Sequence, residues 1–428
     1  MRIATTCLWI GLSCVAAGCS FGELDVPEDG AVIKPDAGVA STDMASGKTW
    51  PGKGMGTPNP DSVELFDTST FPEFDLELQA KDWQGILDLH AKMPPPAETD
   101  PKVYFPCQLK YKAETFANAG CRLKGNPAYW HDEVRLQLVV KFDEYDNNGR
   151  FHGMRRLSFA YKPYRNAPIR DTVGEFIMGG AGLRNCRVNH VKVSVNGKYY
   201  GLYENIEDID KEWLQYQYAD ASGNLYDHGF QLETNKTVND TSDVNDMNDL
   251  VDAEPLMGDH SKFFAAIAKM IDVKEFLRFT AAERIMPTGD NWSNGSWNYK
   301  YYHVPNVGFH LLPNDLDTII WGKDAPPDAD IYAYWGSPDV GLEPNKMLQL
   351  LLQNAAWKKE FEDDLVEIRD GVYQKVPDKI TAVCARIRDE YMKQPTMVAP
   401  VASFDADCES MKKAVADRIA YVKRTLGR

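Results

Sequence analysis

Residues 288–322 read TGDNWSNGSWNYKYYHVPNVGFHLLPNDLDTIIWG. Asp290 stands in a polar loop, with Asn298 eight residues beyond it, and the run Trp297, Tyr299, Tyr301, Tyr302 then alternates like a core strand. A second short strand, Phe309 to Leu312, delivers Pro313-Asn314-Asp315-Leu316-Asp317 and ends in Trp321-Gly322. A loop aspartate, a following asparagine and a strand-borne acidic pair suit a divalent cation. Mg²⁺ prefers hard oxygen ligands and keeps waters and substrate phosphates in its shell. The spacing leaves Asp290 free to orient or deprotonate an attacking hydroxyl while Asn298 and the Asp315/Asp317 pair hold the metal. Phosphoryl transfer needs that division of labour. The plain structural alternative is that these acids cap turns and that Asp315 and Asp317 share one face at a strand end.

Working outward, the chain before this stretch is strand-rich and the chain after it is helical. Strands are expected at Gln108 to Lys112, Ala119 to Lys124, Leu136 to Phe142, Arg156 to Ala160, His190 to Val195 and Tyr199 to Glu204. Asn196-Gly197 favours a tight hairpin turn joining the last two. Arg170 to Met178 reads as a helix stopped by Gly179-Gly180. Further helices are expected at Ser261 to Met270, Val273 to Ile285, Asn345 to Leu352, Trp357 to Tyr373, Val376 to Met392 and Ser410 to Leu426. The fold class is therefore α+β: a β-rich first lobe over 61–260 and an α-rich second lobe over 261–428, with the chemistry between them.

The N-terminal 60 residues belong to neither lobe. Arg2 precedes an apolar stretch from Ile3 to Ala17, and small residues lead to Cys19. This is a signal-peptide pattern, about half of the ~20 apolar residues that a spanning helix needs. Val15-Ala16-Ala17-Gly18-Cys19 resembles the bacterial lipobox, in which cleavage before an acylated cysteine leaves a lipid anchor. Residues 1–18 are thus expected to be removed and Cys19 lipidated. Ser20 after it favours the outer membrane in a host with two membranes. Ser20 to about Asp61 is rich in Gly, Pro, Asp, Ser and Ala and reads as a flexible tether over 19–60. Gly47-Lys48-Thr49 within it lacks the first glycine and the preceding strand of a phosphate-binding loop.

Charge and cysteines narrow the setting. A formal charge of −16 repels nucleic-acid phosphate, so no nucleic-acid partner is expected. The roughly 365 residues beyond the tether suffice for two lobes or one large domain. Of eight cysteines, five lie beyond the tether. Cys107 and Cys121 could close a hairpin, Cys384 and Cys408 flank a loop between helices, and Cys186 is left over. Such bridges fit an exported chain. No Cys-x-x-Cys, Gly-x-Ser-x-Gly or His-Glu-x-x-His pattern occurs.

An ordered set of motifs carries a resemblance. It runs Arg122-Leu123-Lys124-Gly125-Asn126, Lys141-Phe142-Asp143, Ile169-Arg170-Asp171, Val195-Asn196-Gly197 with Gly201-Leu202-Tyr203-Glu204-Asn205, Gly223-Asn224-Leu225-Tyr226, the Asp290 to Tyr299 loop, and Asp315 to Gly322. Together these resemble the CotH kinase family, an atypical branch of the protein-kinase-like fold named for the spore coat protein H. The resemblance implies a two-lobed kinase-like fold, with Asp290 as catalytic aspartate and Asn298 and the Asp315–Asp317 segment at the metal. It also implies that Lys124 or Lys141 contacts ATP phosphates and that Glu204 orients such a lysine. Two departures stand out. Asp227 follows Gly-Asn-Leu-Tyr where family members commonly carry lysine, and Asn291-Trp292 replace a basic residue after the catalytic aspartate.

The expected activity is Mg²⁺-dependent transfer of the ATP γ-phosphoryl group to a protein hydroxyl, on the chain itself or on another cell-envelope protein. A lipid-anchored pseudokinase serving as a surface binding protein is the main alternative. A metal-dependent glycosyltransferase using Asp315-Leu316-Asp317 is a lesser one, because the α/β nucleotide-binding sheet it needs ahead of that motif is not legible.

Overall fold

A computed structural model describes residues 58–97, 100–132, 135–161, 166–294, 298–320, 326–333, 344–396 and 399–428. The signal peptide, Cys19 and nearly all of the tether lie outside the described residues, as do Trp297, Trp321 and Gly322.

The first half closes into a barrel. Its strands are β1 (Glu73–Glu77), β2 (Phe105–Tyr111), β3 (Glu114–Leu123), β4 (Leu138–Lys141), β5 (Arg156–Ala160), β6 (Val188–Val195) and β7 (Lys198–Ile206). They are ordered β1-β2-β3-β4-β5-β7-β6, and β6 returns to β1. All neighbours are antiparallel except that final pair, where Phe74 lies beside Val193 and Leu76 beside Val195. Strand alternation sends Phe74, Leu76, Leu109, Tyr111, Leu138, Val140, Leu157, Phe159, Val191 and Val193 into one buried core. The expected hairpin turn is present: Asn196 and Gly197 both have positive φ, +52° and +74°, which matches the twist of the strands they join. Cys107 and Cys121 are disulfide-bonded across β2 and β3.

Two segments that the sequence left as tether or loop complete this barrel. A short 3₁₀ turn, Pro60–Phe66, buries Leu65 and Phe66 in the barrel core, and the Leu65 carbonyl accepts from the amides of buried Asn189 and Asn205 at 3.2 Å each. Helix α1 (Ala80–His90) packs alongside through Ile86. Its central Gly85 is explained by proximity, since a Cβ there would sit 2.4 Å from the Phe105 ring.

The second half is helical around a small sheet. Helices α2 (Arg170–Gly180), α3 (Lys211–Gln217), α4 (Ser242–Ala253), α5 (Ser261–Ile267), α6 (Val273–Ile285), α7 (Lys346–Leu351), α8 (Ala355–Asp370), α9 (Val376–Met392) and α10 (Val401–Leu426) accompany β8 (Leu225–Asp227), β9 (Gln231–Leu232), β10 (Tyr299–Val304) and β11 (Gly308–Pro313). The sheet order is β11-β10-β8-β9. Residues 211–260 therefore pack with the second half: Tyr226 on β8 lies opposite Tyr301, and Val244, Met247 and Val251 share a core with α6. The stretch expected at the end of the first lobe thus supplies β8 to the β10–β11 sheet and α4 to the core around α6. Helix α2 also buries Val173, Ile177 and Met178 in this core. It runs through Gly179 and Gly180, both expected to stop it, and Gly180 is there for close approach, since a Cβ would meet Val372 at 2.2 Å.

Helix α6 is the axis of this half and is buried from Phe276 to Ile285. Its Arg278 reaches Asp364 at 2.6 Å and Glu367 at 2.9 Å on α8. Helices α9 and α10 are joined by the Cys384–Cys408 disulfide, so both bridges drawn from the sequence are present and Cys186 is a buried free thiol.

Candidate active site

At the end of α6 the chain turns through Met286 and Pro287 into Thr288-Gly289-Asp290. Thr288 is buried, and its hydroxyl accepts the Asp290 N–H at 3.1 Å, a local turn that sets the aspartate in a half-exposed position. The same hydroxyl meets the Thr318 hydroxyl at 2.6 Å, and the Ile320 N–H donates to the Pro287 carbonyl at 2.9 Å. The Asp290 loop and the acidic motif, 25 residues apart from Asp290 to Asp315, are thus stitched side by side.

The next expected member closes the loop. Asn298 Nδ2 donates to the Asp290 carbonyl at 3.3 Å, which fixes the amide so that Oδ1 remains as an acceptor with no donor among the described residues. From there β10 and β11 form an antiparallel hairpin that returns the chain at Pro313, opposite Tyr299. Asp315 then adopts φ +52°, and Asn298 has φ +54°. Asn and Asp are the residues that tolerate this left-handed region, and such departures gather where a side chain must be aimed. Ile320 also lies at φ +52°, a rarer state for a β-branched residue, and marks the far end of the acidic motif. Asp315 and Asp317 are half-exposed with Leu316 buried between them. An amide oxygen and two carboxylates are hard donors, so the residues present fit Mg²⁺.

Behind the acidic motif stands α2. Asp171, in its first turn, accepts the Leu316 N–H at 3.0 Å, and Gly174 lies under Leu316 and Ile319, where a Cβ would come within 2.8 Å of the Leu316 Cβ. Glu204 on β7 holds the same helix end from the barrel side, accepting the Thr172 N–H at 3.0 Å and the Thr172 hydroxyl at 2.7 Å. A buried carboxylate at a helix N-terminus satisfies orphan donors and complements the helix dipole. A continuous line runs from β7 through α2 to the acidic motif.

The first-lobe expectations come out differently. Among the described contacts Glu204 pairs with neither Lys124 nor Lys141, and its carboxylate accepts from Thr172 on α2. Lys141 turns to its own strand end, pairing with Glu144 at 2.8 Å over the Tyr104 ring. Lys124 is half-exposed; its N–H donates to the Gln137 carbonyl and its carbonyl accepts from the Trp130 indole, while its ammonium has no partner among the described residues. The described contacts join neither lysine to Asp290 or to the acidic motif.

Asp227, which reverses a charge common in the family, lies opposite Lys300 in the β8–β10 ladder. The Lys300 ammonium sits 2.9 Å from both Asp227 and Glu233. Burial opposes that charge, yet the two carboxylates more than offset it and raise the lysine pKa. One lysine between two carboxylates leaves this cluster with a net negative charge.

Sequence reasoning missed the supporting residues Asp171, Thr318, Glu283 and Arg284. Glu283, fully buried on α6, accepts the Ser293 N–H at 2.9 Å; burial raises its pKa to about 7 against the hydrogen bonds from the loop. Asp171 and Thr318 lay within quoted motifs, and nothing local assigned either a role.

Comparison with known proteins completes the picture. The family described as CotH kinase protein matches residues 122–422. Among solved structures, the Helicobacter pylori proinflammatory kinase CtkA matches with a TM-score of 0.33 and 13% identity, over 68% of this chain and 94% of that one. HipA from the Shewanella oneidensis MR-1 toxin–antitoxin system, solved with HipB and operator DNA, matches with a TM-score of 0.36 and 11% identity, over 82% of this chain and 74% of that one. No curated protein sequence matches. The family match spans the barrel from the end of β3, the Asp290 loop, the acidic motif and the closing helices, and the chain belongs to the CotH kinase family.

Proposed function

We propose that this chain is an exported kinase that transfers the γ-phosphoryl group of ATP to protein hydroxyls, its own or those of another envelope protein. The observation that carries this reading is the stitching of the Asp290 loop to the acidic motif through Thr288–Thr318 and Pro287–Ile320 in a chain of a kinase family. Asp290 orients the acceptor hydroxyl and takes its proton. Asn298 and the Asp315/Asp317 pair hold Mg²⁺, which offsets the phosphate charge when bound. Lys124, with its ammonium unpaired in the described structure, is the better of the two lysines for phosphate contact, since Lys141 is neutralised by Glu144.

The pseudokinase alternative draws on the charge reversal at Asp227, and that reversal stands, since Lys300 is shared between Asp227 and Glu233 and the cluster keeps a net negative charge. The glycosyltransferase reading needed an α/β sheet ahead of the acidic motif, whereas the described strands there form a barrel that is antiparallel apart from β1–β6. For location, the lipobox at Cys19 supports a lipid-anchored envelope protein, and two disulfides support an oxidising compartment. Incubating the chain with labelled ATP and Mg²⁺ tests the activity. Label should appear in the wild type and be lost in Asp290→Ala; equal label in both excludes the proposed role.

A further inference from the structure

Arg284 is the penultimate residue of α6 and is buried, with 5% of its surface exposed. One face of its guanidinium holds the Asp290 loop: Nη1 donates to Asn294 Oδ1 at 2.5 Å and Nη2 to the Ser293 carbonyl at 2.9 Å. Asn294 passes this constraint on, since its Nδ2 donates to the carbonyl of Thr288, the residue whose hydroxyl holds both the Asp290 N–H and Thr318. The other direction leads away from the loop. Nη2 also donates at 2.5 Å to the carbonyl of Ala333, in the stretch 326–333 that follows the acidic motif. Arg418 on α10 supports both ends. It donates to the Arg284 carbonyl at 3.1 Å, to the Pro327 carbonyl at 3.1 Å and to the Ala329 carbonyl at 2.5 Å.

We propose that Arg284 is a positioning residue which couples the placement of Asp290 to the stretch 326–333. This rests on the kinase reading of Asp290 and adds a residue whose described hydrogen bonds go to Ser293, Asn294 and Ala333. A planar guanidinium is needed because three acceptors from two chain segments converge on it in a fork; the three donors of a lysine ammonium radiate from one atom and cannot span them. Buried carbonyls that lose their donor must find another, so the loop and the downstream stretch should loosen together.

The experiment compares wild type, Arg284→Lys, Asn294→Ala and the double variant as full chains. Amide hydrogen exchange should quicken roughly tenfold over 287–294 and 326–333 in Arg284→Lys, and over 287–294 alone in Asn294→Ala, with α8 and α9 unchanged. In phosphoryl transfer, Arg284→Lys should lower kcat by up to about 100-fold while the KM for ATP stays within about twofold. The double variant should be no slower than the worse single variant, because both break one relay. Unchanged exchange in either stretch of Arg284→Lys, faster exchange spread through α8 and α9, or multiplicative losses in the double variant overturn the coupling. The exchange measurement does not depend on activity. A wild type that transfers no phosphate therefore overturns the kinase reading, and failure of the coupling shows separately in the exchange pattern.

Discussion

Glu283 and Arg284 are adjacent on α6 and grip the Asp290 loop from behind, one by accepting a loop N–H and the other by donating to a loop carbonyl. The carboxyl adds a pH dependence whose sign is fixed. Its folded pKa of about 7 lies above the ordinary glutamate value of 4.5, so the folded state holds a proton that the unfolded chain has released. Stability from this group is present below the unfolded value and is lost as pH rises toward 7. Glu283→Gln, which keeps the acceptor and cannot ionise, should gain stability relative to wild type between pH 5 and 7.5, by up to about 3 kcal/mol. Denaturant melts of both proteins across that range check it, and a difference independent of pH contradicts it. At this scale the sequence picked out Asp290, Asn298 and the 315–317 pair by residue type and spacing, and the Thr288–Thr318 contact sets their two segments side by side, while their chemical roles belong to the proposed function. Thr318, Arg284 and the cap role of Glu204 were hidden because each depends on a partner far along the chain, such as Thr172 for Glu204, and a single sequence carries no record of that pairing.

Helix α2 is the element that transmits the barrel's position to the acidic motif. Glu204 holds its first turn and Asp171 holds Leu316, so cutting the second contact should free the motif while leaving the helix anchored by Arg170, whose guanidinium meets Asp407 on α10 at 2.8 Å. Asp171→Ala should lower stability by about 1–3 kcal/mol, the cost of an unsatisfied buried N–H. It should also weaken Mg·ATP binding measured by calorimetry. Full stability with unchanged affinity contradicts the assignment. Elements were legible in proportion to their apolar periodicity. β5, α6 and α9 stand where the pattern put them, and the β6–β7 turn was fixed by Asn196-Gly197. Helix α4 was missed because Asn and Asp fill its exposed face, although Val244, Met247 and Val251 recur at helical spacing. Strand β1 offers only two inward residues, Phe74 and Leu76, and α1 carries the mid-helix Gly85 that argues against a helix until Phe105 is seen beside it.

The whole molecule joins a closed β-barrel to a helical half, and the described helices include none long and apolar enough to cross a membrane. Closure was the least legible feature, since the parallel β1–β6 pair joins strands more than 110 residues apart. The α+β organisation was readable, whereas the short strand β8 becomes recognisable only beside β10. Under the proposed function this organisation separates the acidic motif after the β10–β11 hairpin, which would hold the metal, from the Asp290 loop, which would orient the acceptor. That separation is the central claim. Its most direct test measures Mg·ATP affinity and phosphoryl-transfer rate for Asp290→Asn, Asp315→Asn and Asp317→Asn, with circular dichroism confirming that each folds. Asp290→Asn should keep nucleotide affinity within about twofold while turnover falls at least about 100-fold, because it acts on the transition state. One of Asp315→Asn and Asp317→Asn should lose most Mg²⁺-dependent affinity, and the other less. Losses of affinity and rate in the same proportion in all three variants, or in none, would contradict the account.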